Sequence, residues 1–403
     1  MSRILFVYER AMPTVSILRE CFCNLPAAYG MDAEFLPLLS VTAGDIDRHD
    51  VLYLIRPDNI FSPKLAKLAR GAGKFVVISL DDDLLNLPEE NPAVPWRTAG
   101  LRKALQNADA LISSSPHILE KYRHLTRQKR GARIDTVVNS RAFSPEREEK
   151  TAPFPVKIVY AANPSHASLF NRYILPVMDS LAARYPQKLS FTFVGVRPEL
   201  PQYEDVFSIQ YIPGMPLGQY RAFMEQAQFD LGLAPLHDSE FARCKYFNKY
   251  LEYTLSGITG VYSAVEPYTT VVEDGSNGFL VYNTESGWLD ALCRAIDNPT
   301  GRSRCLRRAR QHLQQDFSES AVLRRLTDQI PELAAPPKDS CRKCPSLAPL
   351  RMLYRLSRPV DMLYLSAFYL RRGGFSGFFQ KVKSHLRDRR AYQTRPQRKG
   401  GFS

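Results

Sequence analysis

The sequence predicts an α/β protein made of two successive strand–helix units followed by a basic tail. Three observations carry this. Short, continuous apolar runs of strand length recur along the chain, most of them followed by a helical pattern, as parallel strands buried on both faces require. The alternation stops in a polar stretch at residues 139–155, which holds Pro145, Pro153 and Pro155, and then starts again. Residues 331–403 hold 16 of the chain's 54 Lys and Arg but 4 of its 41 Asp and Glu, so +12 of the net +13 lies there.

In order, residues 4–8 read as a strand and 16–23 as a helix. Strands follow at 51–55 and 75–80, separated by a helix at 63–70 with Ser62 as N-cap and Pro63 in its first turn. A strand at 110–113 leads to Ser115-Pro116, which opens the next helix. After the linker at 139–155 come a strand at 156–161, a long helix at 166–185, and strands at 189–194, 209–212, 231–234, 260–262 and 279–281. Two doubly wound units in succession imply two Rossmann-like domains facing across a cleft, residues 1–145 and 155–330, with 331–403 as a helical tail.

Composition agrees: 403 residues with 44% hydrophobic and 11% aromatic content can bury a core of this size. Seven scattered cysteines fit reduced thiols, and the lone pair Cys341 and Cys344 has no partner pair for a zinc site. No signal-peptide pattern opens the chain, and no stretch of about 20 apolar residues suggests a membrane span. Within the tail, residues 349–370 mix Leu, Tyr and Phe with Arg351, Arg355 and Arg358; Pro359 is expected to break the helix and Arg371-Arg372-Gly373-Gly374 to end it. Such a segment suits the interface of an anionic membrane, or a helix packed back on the first domain. It carries no nucleic-acid motif.

The most specific stretch is 241–283. Lys245, Asn248, Lys249 and Glu252 fall at i, i+3, i+4 and i+7, on one helix face. Ser256-Gly257 reads as the stop, with Gly257 in the left-handed position. Lysines near a helix N-terminus suit a diphosphate, and a carboxylate one turn on suits a ribose diol; a solvated, charge-patterned face is the other reading.

Lys249-Tyr-Leu-Glu252-Tyr, then Ser-Gly257-Ile, Gly-Val-Tyr-Ser263, Pro267-Tyr268 and Asp274-Gly-Ser-Asn-Gly278-Phe-Leu-Val, resembles the donor-binding signature of GT-B glycosyltransferases, in particular the retaining family 4 superfamily and its bacterial polysaccharide branch. The resemblance is good over about residues 155–300, looser over 50–145 and absent in the tail. It implies that Glu252 binds ribose and Lys249 the donor diphosphate. It departs at position 244, where the first of two glutamates is expected and Cys244 stands, and in lacking the usual Arg/Lys pair, whose charge Lys245 and Lys249 would supply.

Ligands of open α/β sheets bind beyond the carboxyl ends of the strands. There, Asn163, Ser165 and His166 offer donors to phosphate or sugar hydroxyls, His166 alternatively serving as a helix cap. By resemblance, Gly195 and Pro213 line the nucleobase slot; the hydroxyls of Tyr268 and Thr269 can meet the donor. In the first domain, Asp81, Asp82 and Arg56 end two strands and suit an acceptor sugar; a cation or a helix cap at the aspartates remains open.

The resemblance implies a glycosyltransferase moving a sugar from a nucleotide-sugar to a glycan or lipid-linked acceptor in cell-surface polysaccharide biosynthesis, with retention. No metal or cofactor beyond the donor is expected. Lys249 and Lys245 are the catalytic residues, and the location is cytoplasmic, peripheral on the inner face of the membrane. A non-catalytic binding module and a nucleotide-sugar epimerase are the alternatives.

Overall fold

The described strands form two separate six-stranded sheets in which every strand pairing is parallel. The computed structural model describes residues 1–23, 26–87, 94–139, 142–145, 154–336 and 342–391. These divide into two compact units, Met1–Thr136 with Leu323–Ser403, and Val137–Val322. The expected linker at 139–155 falls partly outside the described residues, as does Cys341; Cys344 is buried, its N–H donating to Asp47 Oδ1 at 2.8 Å.

In the first unit, β1 (Ser2–Tyr8), β2 (Met31–Pro37), β3 (Val51–Ile55), β4 (Phe75–Leu80), β5 (Ala110–Ser113) and β6 (Arg130–Arg133) take the order β2-β1-β3-β4-β5-β6. β3 and β4 are buried along their whole length, which is why both read as unbroken apolar runs. β2 and β6 escaped the sequence reading. They are the sheet edges, and only one residue of each is fully buried, so neither carries an apolar run.

In the second unit, β7 (Val156–Ala161), β8 (Leu189–Val194), β9 (Ser208–Ile212), β10 (Leu231–Ala234), β11 (Thr259–Ser263) and β12 (Phe279–Val281) take the order β12-β11-β10-β7-β8-β9. The chain starts at the central β7, builds outward through β8 and β9, then returns to lay β10 on the other side of β7. This reversal makes a switch point between β7 and β10. Phe170 and Phe193, edge to face at 5.0 Å, and the fully buried Trp288 belong to the core on this sheet.

Four local expectations are corrected. The helix expected at 166–185 is broken into Ala167–Tyr173, a 3-10 turn at Leu175–Val177 and Met178–Arg184, because Pro176 has no N–H to give. Ser62 does not cap its helix: Asn59 Oδ1 accepts from the N–H groups of Phe61 and Ser62 and from the Ser62 hydroxyl, at 2.8–3.0 Å. Lys245 precedes the helix Asn248–Leu255 instead of lying on it. Pro359 does not break the tail, and the segment does not end at Arg371-Arg372-Gly373-Gly374; one helix runs Ala348–Ala391. Pro359 and Arg355, whose carbonyl it deprives of a donor, are both exposed, so water can meet the freed carbonyl.

The tail helix docks on the first unit through polar groups and two edge-to-face aromatic contacts, Phe61 with Tyr354 and Trp96 with Tyr364. Asp361 accepts from Trp96 Nε1 at 2.6 Å and from Arg97 Nε and Nη2 at 3.0 and 2.7 Å. Glu9 Oε1 accepts from Tyr354 Oη at 2.7 Å, Arg358 Nη1 at 3.0 Å and Arg97 Nη2 at 3.3 Å. No helix among the described residues is long and apolar enough to cross a membrane.

Candidate functional site

The switch point of the second sheet gathers the basic groups. β7 ends at Ala161 and leads through the loop 162–166 to His166; β10 ends at Ala234 and leads to His237. Because these strands are neighbours, the two histidines interact, and both Lys245 and Lys249 act on His166. Burial pushes the His166 imidazole down to about 4, and the positive charge of Lys245, Lys249 and His237 adds to the effect. It is therefore neutral near pH 7, able to donate and accept hydrogen bonds, while the lysines hold the charge. Tyr173 Oη meets His237 Nδ1 at 2.8 Å, and Tyr160 Oη donates to the His166 carbonyl at 2.9 Å.

Lys249 is held by the helix Asn248–Leu255, whose place on the sheet is set by Tyr253. That ring packs on Gly232 of β10, where a Cβ would approach it to 2.6 Å, and its hydroxyl donates to the Leu233 carbonyl at 2.7 Å. The helix ends as the sequence predicts: Gly257 has φ +73°, and the Ile258 N–H reaches back to the Tyr253 carbonyl at 2.8 Å. Lys249 Nζ donates to Glu252 Oε2 at 2.5 Å and to Tyr220 Oη at 3.3 Å; Tyr220 Oη donates to the same carboxylate at 3.0 Å. Burial works to lower the Lys249 pKa, but Glu252 and the Tyr253 ring beside it outweigh that and raise it, so the ammonium stays charged. Thus Lys249 and Glu252, assigned separate tasks from the sequence, are partners in this structure.

Tyr268 is buried within electrostatic reach of Lys249, Glu252 and Tyr160, whereas Thr269 is exposed. Asn163, Ser165 and Pro213 are also exposed. At the ends of β8 and β9, Gly195 (φ +75°) and Gly214 lie backbone to backbone, and a Cβ on Gly195 would come 2.7 Å from the Ala162 carbonyl. The loops after β7, β8 and β9 are thereby drawn close enough to line one slot of main-chain groups. Cys244 is buried. Among the described residues no group of three or more His, Cys, Asp or Glu side chains is disposed to hold a metal ion.

In the first unit, Arg56 Nη1 lies 2.8 Å from Asp81 Oδ1 and 3.1 Å from Asp82 Oδ2, with Arg56 itself at φ +46°. Thr14 Oγ1 also donates to Asp81. The next residue, Asp83, is different: it is 1% exposed and accepts from Tyr122 Oη at 2.6 Å, Lys121 Nζ at 2.9 Å and the Asn86 N–H at 3.1 Å. These bonds outweigh burial and lower its pKa, making it a structural carboxylate.

His237, Tyr220 and Tyr253 are the site residues that sequence reasoning missed. His237 stands three residues past a strand end, but only the adjacency of β7 and β10 shows that its charge reaches His166.

The His166 titration gives a direct check. Its folded pKa of about 4 lies below the ordinary 6.5, so its contribution to stability is complete above about pH 6.5 and is lost as pH falls toward 4. Histidine ring shifts followed by NMR are expected to show this value moving upward in a Lys249→Met variant, since one of its depressing charges is gone. An unmoved titration would mean that the lysine does not act on the ring.

No protein-family model and no curated protein sequence matches the chain. Among solved structures, it is similar to HepE of Anabaena in complex with UDP-glucose, at 14% identity over 82% of this chain and 100% of that one, TM-score 0.57. It is similar to sucrose-phosphate synthase of Thermosynechococcus elongatus, at 13% identity over 84% and 100%, TM-score 0.57. It is also similar to a glycosyltransferase of Rickettsia africae, at 12% identity over 84% and 99%, TM-score 0.56. At such identities the likeness is one of architecture, and with two parallel six-stranded α/β units in one chain the fold is that of the GT-B glycosyltransferases, as the sequence predicts.

Proposed function

We propose that the protein is a glycosyltransferase that transfers a sugar from a nucleotide-sugar to a glycan or lipid-linked acceptor, in cell-surface polysaccharide synthesis and with the retaining chemistry of the family 4 superfamily. The observation that carries this reading is the convergence of Lys245, Lys249, His166 and His237 at the switch point of the second sheet, with Glu252 alongside. Two ammonium groups beside a neutral imidazole suit a diphosphate leaving group. They stabilise the charge that develops as the sugar–phosphate bond breaks, and no side chain need act as nucleophile.

Lys249 is the principal cation for the leaving diphosphate, and Lys245 supports it. Glu252, released from Lys249, accepts from the ribose diol. His166, Asn163 and Ser165 meet phosphate or sugar hydroxyls; Pro213 and Gly195 border the base; Tyr268 and Thr269 line the donor sugar. In the first unit Asp81, Asp82 and Arg56 orient the acceptor. No cofactor beyond the donor enters this scheme. The enzyme works on the cytoplasmic side as a peripheral protein of the membrane.

HepE, in complex with UDP-glucose, makes UDP the first nucleotide to try. A thermal-shift panel of UDP, GDP, ADP and dTDP should give a rise for one of them in the native protein and none in Lys249→Ala, because a ligand that binds only the folded state stabilises it by an amount that grows with the logarithm of its concentration over Kd. The absence of a shift with all four would remove the donor-site assignment.

A further inference from the structure

The tail helix docks through tyrosine, arginine and aspartate and keeps its aliphatic residues on the other face. Tyr354, Arg358 and Asp361, at spacings of four and three, share the inward face and are tied to Glu9, Trp96 and Arg97 by the bonds described above. Met352, Leu356, Val360, Leu363 and Leu370, at spacings of four, four, three and seven, share the opposite face. They are exposed: Leu356 is 62% and Leu363 71% accessible. A helix that packs polar groups inward and leaves a continuous apolar stripe outward has an uncovered hydrophobic surface.

Charge tells what covers it. The exposed stretch also presents Arg355 and Arg371, and it belongs to the segment of the chain whose net charge is +12. Apolar side chains bordered by arginine are what an anionic bilayer takes up, with the guanidinium groups in the headgroup layer and the leucines beneath. A second strongly basic copy would have to bring like charges together.

We propose that the outward face of this helix rests on an anionic lipid bilayer while its inward face stays docked on the first unit. This deepens the peripheral placement offered above and adds a direction to it. Glu9 directly follows β1 and Asp58 lies three residues past β3, and Arg97 contacts both, at 3.3 and 3.6 Å. The helix therefore seats beside the carboxyl end of the first sheet, where ligands of such sheets bind. A bilayer held there delivers an acceptor that is itself carried on a lipid.

The test is flotation of the full chain with vesicles of equimolar phosphatidylcholine and phosphatidylglycerol, against vesicles of phosphatidylcholine alone. Wild type should float with the anionic vesicles and bind them about tenfold or more tightly than the neutral ones. Leu356→Asp with Leu363→Asp should lose about tenfold or more of that binding. Both substituted positions are exposed, so thermal unfolding should be unchanged. Should that variant fail to fold, Arg355→Glu with Arg371→Glu reads the charge contribution alone and should also weaken anionic binding. Failure of wild type to float with anionic vesicles, or undiminished binding by the charge-reversed or aspartate variant, would overturn the proposal. So would a dimer by light scattering that the aspartate substitutions dissociate, which would give the stripe to a second copy. Nucleotide thermal shifts on the same preparations report the second unit separately, so loss of vesicle binding with nucleotide response intact leaves the glycosyltransferase reading standing.

Discussion

Lys249→Ala is expected to lower turnover about a hundred- to a thousandfold while the protein remains folded. The loss is of the size seen when one preorganised charge aimed at a developing anion is removed. The fold is expected to survive, because Glu252 is 30% exposed and can be met by water once its partner is gone. Tyr220 remains to hydrogen-bond Glu252 after the substitution. The readout is nucleoside diphosphate release with donor and acceptor, set beside the melting temperature. Near-normal turnover by a folded Lys249→Ala protein would end the assignment of Lys249 to the leaving group.

Arg97→Ala is expected to destabilise the first unit by about 3–5 kcal/mol, the cost of leaving buried charge without its partner. Arg97 is 15% exposed and serves Glu9, Asp58 and Asp361 together. Burial, and then the charge of Glu9, push the Asp58 carboxyl up to about 6, against the pull of Arg97 and Arg56. The sign follows. A carboxyl whose folded pKa lies above its unfolded value favours the fold at low pH, and that contribution is lost as pH rises through about 6. Removing Arg97 raises the folded value further. The deficit of the variant in urea unfolding should therefore be smaller at pH 5 than at pH 7.5. An equal deficit at both would assign the loss to packing alone.

The sheets were legible where the chain carries a short apolar or β-rich run. β3, β4, β5, β7, β8, β10 and β12 coincide with their expected ranges residue for residue, because most of their positions are buried and apolar. β2 and β6 were not, since Asp32 and Glu34 interrupt the one and two arginines and a glycine make up most of the other. Gly257 was legible for a different reason: a backbone at φ +73° costs least with glycine. Arg56, Asp81 and Asp82 were legible as strand-end residues, and their pairing follows because β3 and β4 are neighbours in one parallel sheet. His237 was not, because its neighbour is chosen by strand order, which no local pattern encodes. The single helix of the tail was misjudged at Pro359, where the sequence shows the missing N–H but not that Arg355 and Pro359 are both exposed.

The first unit is assembled from both ends of the chain, with the whole second unit between them. Arg97 meets Asp361 across 264 residues of sequence, and Arg351 Nη2 meets the Val41 carbonyl at 2.5 Å across 310. During synthesis at about 5–20 residues per second, the seat for the last helix therefore stands open for some tens of seconds after it leaves the ribosome. Throughout that interval Glu9, Asp58 and Arg97 have water where Tyr354, Arg358 and Asp361 will be. The second unit, continuous in sequence, can finish folding while the first still waits for its final element. A nascent chain arrested before residue 348 would thus carry a complete second unit and an unfinished first one.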